Sequence, residues 1–430
     1  MNIDLLYQLY KHSTGVSTDT RKIEKGNLFF ALKGPSFNAN EFAGNALALG
    51  ASAVVVDEEE HYMENDRRYV LVKDSLSALQ LLSNHHRKTL NIPILAITGT
   101  NGKTTTKELV QVVLSTKFRA VATIGNLNNH IGVPLTLLSM DEKTEIGIVE
   151  MGANKIGDIQ ELCQIAEPTH GLITNIGRAH LEGFGGFDGV LKTKTELYHY
   201  LISQNGKVFI NSENSILINW SKRFSSPILY PGEDDFYYCT LVEANPFVKF
   251  ITADGKTHTT KILGAYNFEN IAAALTIGKF FGVEEEKAIE AIGMFIPTNM
   301  RSQLIEKRSN LILLDAYNAN PSSMEEAIRA FGKMTGKKYK MILLGDMYEL
   351  GSSEIEEHRK LGEVISQMEI DKICFTGKLI RHALETAPRA LYFPDPFSLR
   401  NWLQDSRLED YLILIKGSRG MKMEGFVEFI

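Results

Sequence analysis

Short apolar runs alternate along most of this chain with longer stretches whose apolar residues recur every three or four positions. That alternation predicts an α/β protein built on mostly parallel sheets. In residues 1–90, strand candidates at Leu28 to Leu32, Ala53 to Val56 and Tyr69 to Val72 sit between helical stretches. A helix from Ser75 to about Leu90 ends before Asn91-Ile92-Pro93, since proline disfavours helix in the residue preceding it. Residues 91–297 carry apolar runs at Ile94 to Thr98, Ile146 to Val149, Gly171 to Thr174 and Lys207 to Ile210, separated by helices. Such spacing implies a parallel sheet with helices on both faces. Between Leu229 and Lys261 the pattern shortens to antiparallel strands, an edge extension. Helices follow from about Phe268 to Phe281 and on to about Ile292, and Phe295-Ile296-Pro297-Thr298 reads as a linker. Residues 298–430 alternate again, at Leu311 to Leu314, Met341 to Leu344, Lys372 to Phe375 and Tyr411 to Ile415. This third region is Rossmann-like in rhythm but has no Gly-x-Gly-x-x-Gly fingerprint. The expectation is three domains: a smaller N-terminal α/β domain, a central parallel-sheet domain and a C-terminal Rossmann-like one.

The run Ile94 to Thr98 leads straight into a glycine turn, with a helix opening at Thr104. A glycine turn between strand and helix aims backbone N–H groups and a helix N-terminus at one point, which suits a polyphosphate. Gly99, Thr100, Asn101, Gly102 and Thr105 are therefore candidate nucleotide contacts. Lys103 would reach the outer phosphates, and the Thr104 hydroxyl would ligate Mg²⁺. Ile97 stands where the general phosphate-loop pattern has its first glycine. The chemistry implied is use of ATP or a similar nucleotide.

Charge and cysteine content narrow the classes further. A net charge of −6 with no long basic run argues against nucleic acid as the main partner. The three cysteines, Cys163, Cys239 and Cys374, make neither a disulfide framework nor a zinc site by spacing. No apolar run approaches a membrane span and the N-terminus lacks a signal-peptide pattern, so the expected location is the reduced cytoplasm.

Several strand ends carry polar groups. Glu150 follows Ile146-Gly147-Ile148-Val149; at the C-terminal end of a parallel strand it shares an edge with the loop, in place for magnesium, or else caps the next helix at the surface. His180 is a candidate second metal ligand, since neutral imidazole coordinates divalent ions. Lys194, taken alone, reads as a solvated helix-face residue. Asp315 ends a strand and either meets a ribose hydroxyl or caps the helix beginning near Pro321.

These motifs, in this order and over essentially the whole chain, resemble the Mur ligase family, ATP-dependent amide-forming enzymes of peptidoglycan synthesis. The N-terminal part carries Ser17-Thr18-Asp19-Thr20-Arg21, Gly26 to Gly34 and Asn38 to Ala43; the centre carries the glycine turn, Asn126-Leu127-Asn128-Asn129-His130-Ile131-Gly132-Val133-Pro134 and Glu150-Met151-Gly152-Ala153-Asn154. The Asn126 segment and Gly345-Asp346-Met347-Tyr348-Glu349-Leu350-Gly351 favour members that add a dipeptide, and Lys416-Gly417-Ser418-Arg419 fits as well. The resemblance implies that Thr104, Glu150 and His180 hold two magnesium ions and that Lys194 is carbamylated, its amine turned into an anionic metal ligand. It implies that Asn267 and Asn270 contact adenine, and that Arg301 and Asp315, with Asn318, Asn320 and Ser322, meet the nucleotide from the C-terminal domain. Lys103, His180 and Lys194 would be the catalytic set. Thr18, Asp19, Arg21 and Lys33, with Asn126, Asn129, Lys416 and Arg419, would meet the other substrates. Thr20 replaces a serine usual in relatives, and Asn38 and Asn40 stand where acidic residues or histidine are common.

The activity implied is ATP-dependent addition of D-alanyl-D-alanine to a UDP-N-acetylmuramoyl-tripeptide through an acyl phosphate, by a monomer. The third domain would close over the nucleotide, with hinges near residues 91 and 297. The competing readings are a related ligase adding a single amino acid, or glutamate to folate, and a non-catalytic sensor of UDP-peptides.

Overall fold

In the computed structural model, which describes residues 3–178, 181–298 and 300–430, the helix Ser75–Leu90 has the predicted bounds. Asp74 caps it by accepting from the Ser77 N–H (2.7 Å), and Asn91 ends it in a left-handed conformation two residues before Pro93. It belongs to a four-stranded parallel sheet unit whose strands run Val16–Ser17, Leu28–Phe30, Ala53–Val56 and Tyr69–Leu71 in spatial order.

The next sheet has six parallel strands in the order Ile228–Tyr230, Lys207–Asn211, His170–Ile173, Ile94–Thr98, Ile146–Glu150 and Ala120–Ala122. Ile94–Thr98 is buried throughout because both faces are covered. Leu95 and Ile97 share an apolar cluster with the helices Lys103–Leu114 and Asn267–Phe280; Ile94 and Ala96 share the opposite one with Asp158–Ala166 and Phe187–Ser203. Cys239–Ala244, Phe247–Thr252 and Thr257–Leu263 form the expected antiparallel extension. Leu229 and Tyr230, counted with that extension from sequence, belong instead to the parallel strand Ile228–Tyr230, paired in register with Ile210 and Asn211. Three residues are too few to show a period.

The last sheet orders Gln303–Lys307, Asn310–Asp315, Tyr411–Lys416, Tyr339–Gly345, Lys372–Thr376 and Leu391–Phe393, parallel except for the first. Both of its edges went unforeseen in the sequence. Asp315 and Lys416 are partners in register at the carboxyl ends of adjacent strands. Among the described residues no helix is long and apolar enough to cross a membrane.

Candidate active site

The central strand has the later strand Ile146–Glu150 on one side and His170–Ile173 on the other, so the chain reverses its direction of sheet growth at Ile94–Thr98. Ligands of open α/β sheets bind beyond the carboxyl ends at such a point. The glycine turn occupies it. Gly99 has φ +145°, and a Cβ there would fall 2.0 Å from Thr174 Oγ1; Gly102 has φ +77°, and a Cβ would fall 2.6 Å from Asn270 Oδ1. The loop is tied to the neighbouring strand end: the Thr100 N–H donates to Asn175 O (2.9 Å) and the Asn101 N–H to Asn175 Oδ1 (2.9 Å). The helix opens at Lys103, one residue earlier than the pattern suggested, with Gly102 as N-cap. Lys103 Nζ folds back to donate to Gly99 O (2.8 Å) and Thr100 O (2.9 Å). Enclosure by protein pushes its pKa down to about 8; the Glu150 carboxylate works against that shift and Arg301 adds to it.

Glu150 is 1 % exposed, which excludes the surface-cap alternative, and the next helix is preceded by Gly157 instead. Its Oε1 accepts from Asn128 Nδ2 (2.8 Å). Its Oε2 is buried without a hydrogen-bond partner, 3.9 Å from the Nζ of the equally buried Lys107. An unsatisfied carboxylate oxygen, in a residue that lines the same cavity as the buried Thr104, suits a hard divalent cation. Lys194 is not solvated: it is 3 % exposed, with Nζ 5.5 Å from the centre of the Phe184 ring. Burial holds its pKa well below the ordinary lysine range and repulsion from Lys103 adds to this, while Asp158 and Glu196 oppose it. His180 lies outside the described residues.

Asn267 and Asn270 buttress the loop. Thr106 Oγ1 donates to Asn270 Oδ1 (2.9 Å), Asn270 Nδ2 to Asn267 Oδ1 (2.8 Å) and Asn267 Nδ2 to Leu263 O (2.7 Å). Asp315 does not cap the helix Pro321–Lys333. That cap is Asn320, whose Oδ1 accepts from the Ser323 N–H (2.8 Å). Asp315 accepts from the Ser302 N–H (3.0 Å) and pairs with the buried Lys416. The Arg301 guanidinium lies 3.7 Å from the centre of the Tyr317 ring, its Nε buried and without a partner.

A cavity of about 1170 Å³ between the central and C-terminal sheets gathers these groups. Its walls include the loop from Gly99 to Thr105, Asn126, Asn129, Glu150, Lys194, Asn267, Asn270, Arg301, Asp315 and Lys416. Thr18, Asp19, Arg21, Lys33 and Arg419 are not among its lining residues. Arg21 makes a two-pronged contact to Asp19, Lys33 pairs with Asp57, and Arg419 pairs with Glu424. Sequence reasoning missed Asn128, Asn175 and Lys107. Asn128, not its flagged neighbour Asn129, holds Glu150, while Asn129 Oδ1 accepts from the Ile131 and Gly132 N–H groups (3.1 and 2.9 Å).

Comparison with known proteins matches three stretches to family profiles: "Mur ligase family, catalytic domain" over residues 12–87, "Mur ligase middle domain" over 97–278 and "Mur ligase, glutamate ligase domain" over 300–419. The UDP-N-acetylmuramoyl-tripeptide–D-alanyl-D-alanine ligase of Bacillus subtilis is 36% identical over 423 residues, 96% of this chain and 92% of that protein. The crystal structure of MurF from Acinetobacter baumannii superposes with a TM-score of 0.87 at 29% identity, covering 99% of this chain and 97% of that one. MurF ligase from Thermotoga maritima, solved in complex with ADP, superposes at 0.85 with 26% identity, covering 98% and 97%.

Proposed function

The chain belongs to the Mur ligase family, and from that premise we propose that it joins D-alanyl-D-alanine to UDP-N-acetylmuramoyl-tripeptide at the expense of ATP. It is an ATP-dependent amide-bond ligase of peptidoglycan precursor synthesis. The observation that carries this reading is the convergence of the phosphate loop, Glu150 and Lys194 with Arg301 and Asp315 of the C-terminal domain around one cavity.

In the reaction the γ-phosphoryl group passes from ATP to the terminal carboxylate of the tripeptide. The dipeptide amine then attacks that carbonyl carbon, losing a proton as phosphate leaves. The loop's N–H groups and Lys103 bind and orient the phosphates, so catalysis is mainly positioning and charge stabilisation. Arg301, Asp315 and Asn318 line the cleft from the facing domain, and closure of that domain would keep water from the acyl phosphate. Glu150 and Thr104 would hold Mg²⁺, with His180 and a carbamylated Lys194 completing two sites. When bound, the metal offsets charge gathering on the transferring group. The low pKa of Lys194 supports this, because a neutral amine adds CO₂ to give a carbamate and one proton. Thr18, Asp19, Arg21 and Lys33 would meet the UDP end, and Asn126, Asn129, Lys416 and Arg419 the peptide and acceptor. One chain supplies every group, so a monomer suffices.

The direct test is phosphate release from ATP with UDP-N-acetylmuramoyl-tripeptide, with and without D-alanyl-D-alanine, followed by mass analysis. A product heavier by the dipeptide, formed only with all three substrates, is expected. Dipeptide-independent hydrolysis, or addition of a single amino acid, would overturn the assignment.

A further inference from the structure

The C-terminal domain touches the phosphate loop directly. Asn320 Nδ2 donates to Asn101 Oδ1 (2.9 Å), the Arg178 N–H donates to Ser322 Oγ (3.0 Å), and Arg178 Nη1 meets the buried Glu357 carboxylate (3.3 Å). On the central side the receiving segments are one unit. The Thr100 and Asn101 N–H groups both bond to Asn175, and the Gly177 N–H donates to Thr100 Oγ1 (2.9 Å). Asn320 is itself fixed, because its Oδ1 and N–H form both halves of a capping box with Ser323. Its amide therefore reaches Asn101 from a rigid helix start, with little rotamer freedom left to lose.

We propose that Asn320 and Asn101 are positioning residues for phosphoryl transfer. Their hydrogen bond forms only when the C-terminal domain is docked, and it holds the loop in the arrangement that turns ATP over. Phosphate transfer then waits for a loaded, docked cleft, which protects ATP from idle hydrolysis. Displacing a phosphate-binding loop by about 1 Å is enough to cost two orders of magnitude in rate, so a single well-aimed contact can gate the step. The inference rests on the ligase reading above.

The test uses Asn320→Ser and Asn101→Ala in the full chain, singly and together. Serine caps a helix about as well as asparagine but is too short to reach Asn101. In each single variant kcat for ligation should fall about threefold to tenfold, by more than KM for ATP rises. The double variant should fall no further than the worse single one, and the melting midpoint should move by less than about 2 °C. Unchanged kcat, losses that multiply, or a rate loss that tracks melting would overturn the proposal. Small-angle scattering with a non-hydrolysable ATP analogue and UDP-tripeptide gives a second readout that needs no turnover. The variants should stay more expanded than the unaltered chain, and equal radii would sink the gating role. If the unaltered chain forms no product, the ligase reading fails on its own, and scattering still decides whether this pair governs docking.

Discussion

The central domain meets its two neighbours in opposite ways. Toward the N-terminal domain the seam is a weld. Arg87 donates to Ala166 O and Glu167 O (3.0 to 3.2 Å), Asn84 to Ile165 O (3.0 Å), Gln80 to His130 O (3.1 Å) and Tyr10 to Leu138 O (2.8 Å). Leu138, with Ile131 and Leu135 beside it, belongs to the N-terminal domain's own apolar cluster. Long side chains satisfying buried carbonyls, over shared apolar surface, leave little to open. Toward the C-terminal domain the surfaces part around the cavity; beside it Leu263 and Phe247 pack on the C-terminal apolar cluster, Tyr266 bonds Ser302 (2.7 Å), and polar contacts at Asn320, Ser322 and Glu357 reach across. One seam stores stability and the other carries chemistry. A hinge near residue 91 would have to break the weld, so the joint near residue 297 is the better candidate for movement.

The largest effect should come from the working side. Lys103→Ala and Lys194→Ala should each cut turnover by at least about a thousandfold, the first by removing phosphate neutralisation and the second by removing the proposed metal ligand, while the melting midpoint holds. Intact-mass analysis should show a carboxylate added at Lys194 that is absent from its alanine variant. Near-normal rates in either would detach that lysine from the site. Arg87→Ala should do the reverse. It strips donors from the carbonyls at a helix end and should cost about 3 kcal/mol in chemical denaturation, with kcat retained where the protein is folded. A variant that kept its stability and lost its rate would erase the contrast.

The smallest effect is a pH slope at the weld. His86 Nε2 lies 2.9 Å from Met140 O, and burial holds its pKa below the usual 6.5, with His85 and Lys11 adding to the shift and the Met140 contact and Glu142 opposing it. The unfolded chain therefore takes up the proton first. Stability from this group is complete above pH 6.5 and is lost as pH falls through the folded value. Melting midpoints from about pH 7.5 to about pH 5.5 should drop, and less steeply in His86→Gln.

What could be read in the chain was local. The bounds of Ser75–Leu90 follow from Asp74, Asn91 and Pro93, and the loop from glycines whose conformations admit little else. Lys194 reads as a solvated residue because its burial is made by Phe184 and by groups distant in sequence. Among Asn126, Asn128 and Asn129, nothing local says which reaches Glu150; that depends on the neighbouring strand end. Edge strands such as Leu391–Phe393 are too short to carry a period. Of the N-terminal candidates, Asp19, Arg21 and Lys33 engage partners within their own domain, a pairing that no local pattern announces.

The way Lys103 folds onto the carbonyls of Gly99 and Thr100 bears on product discharge. Its ammonium spends two of three N–H donors on its own loop, so an incoming anion finds one donor open unless the carbonyls let go. A nucleotide can offset the cost of freeing the other two donors through contacts along the rest of its length, which a lone phosphate lacks. Free phosphate should therefore compete weakly with ATP, an outcome that inhibition of turnover by added phosphate would check.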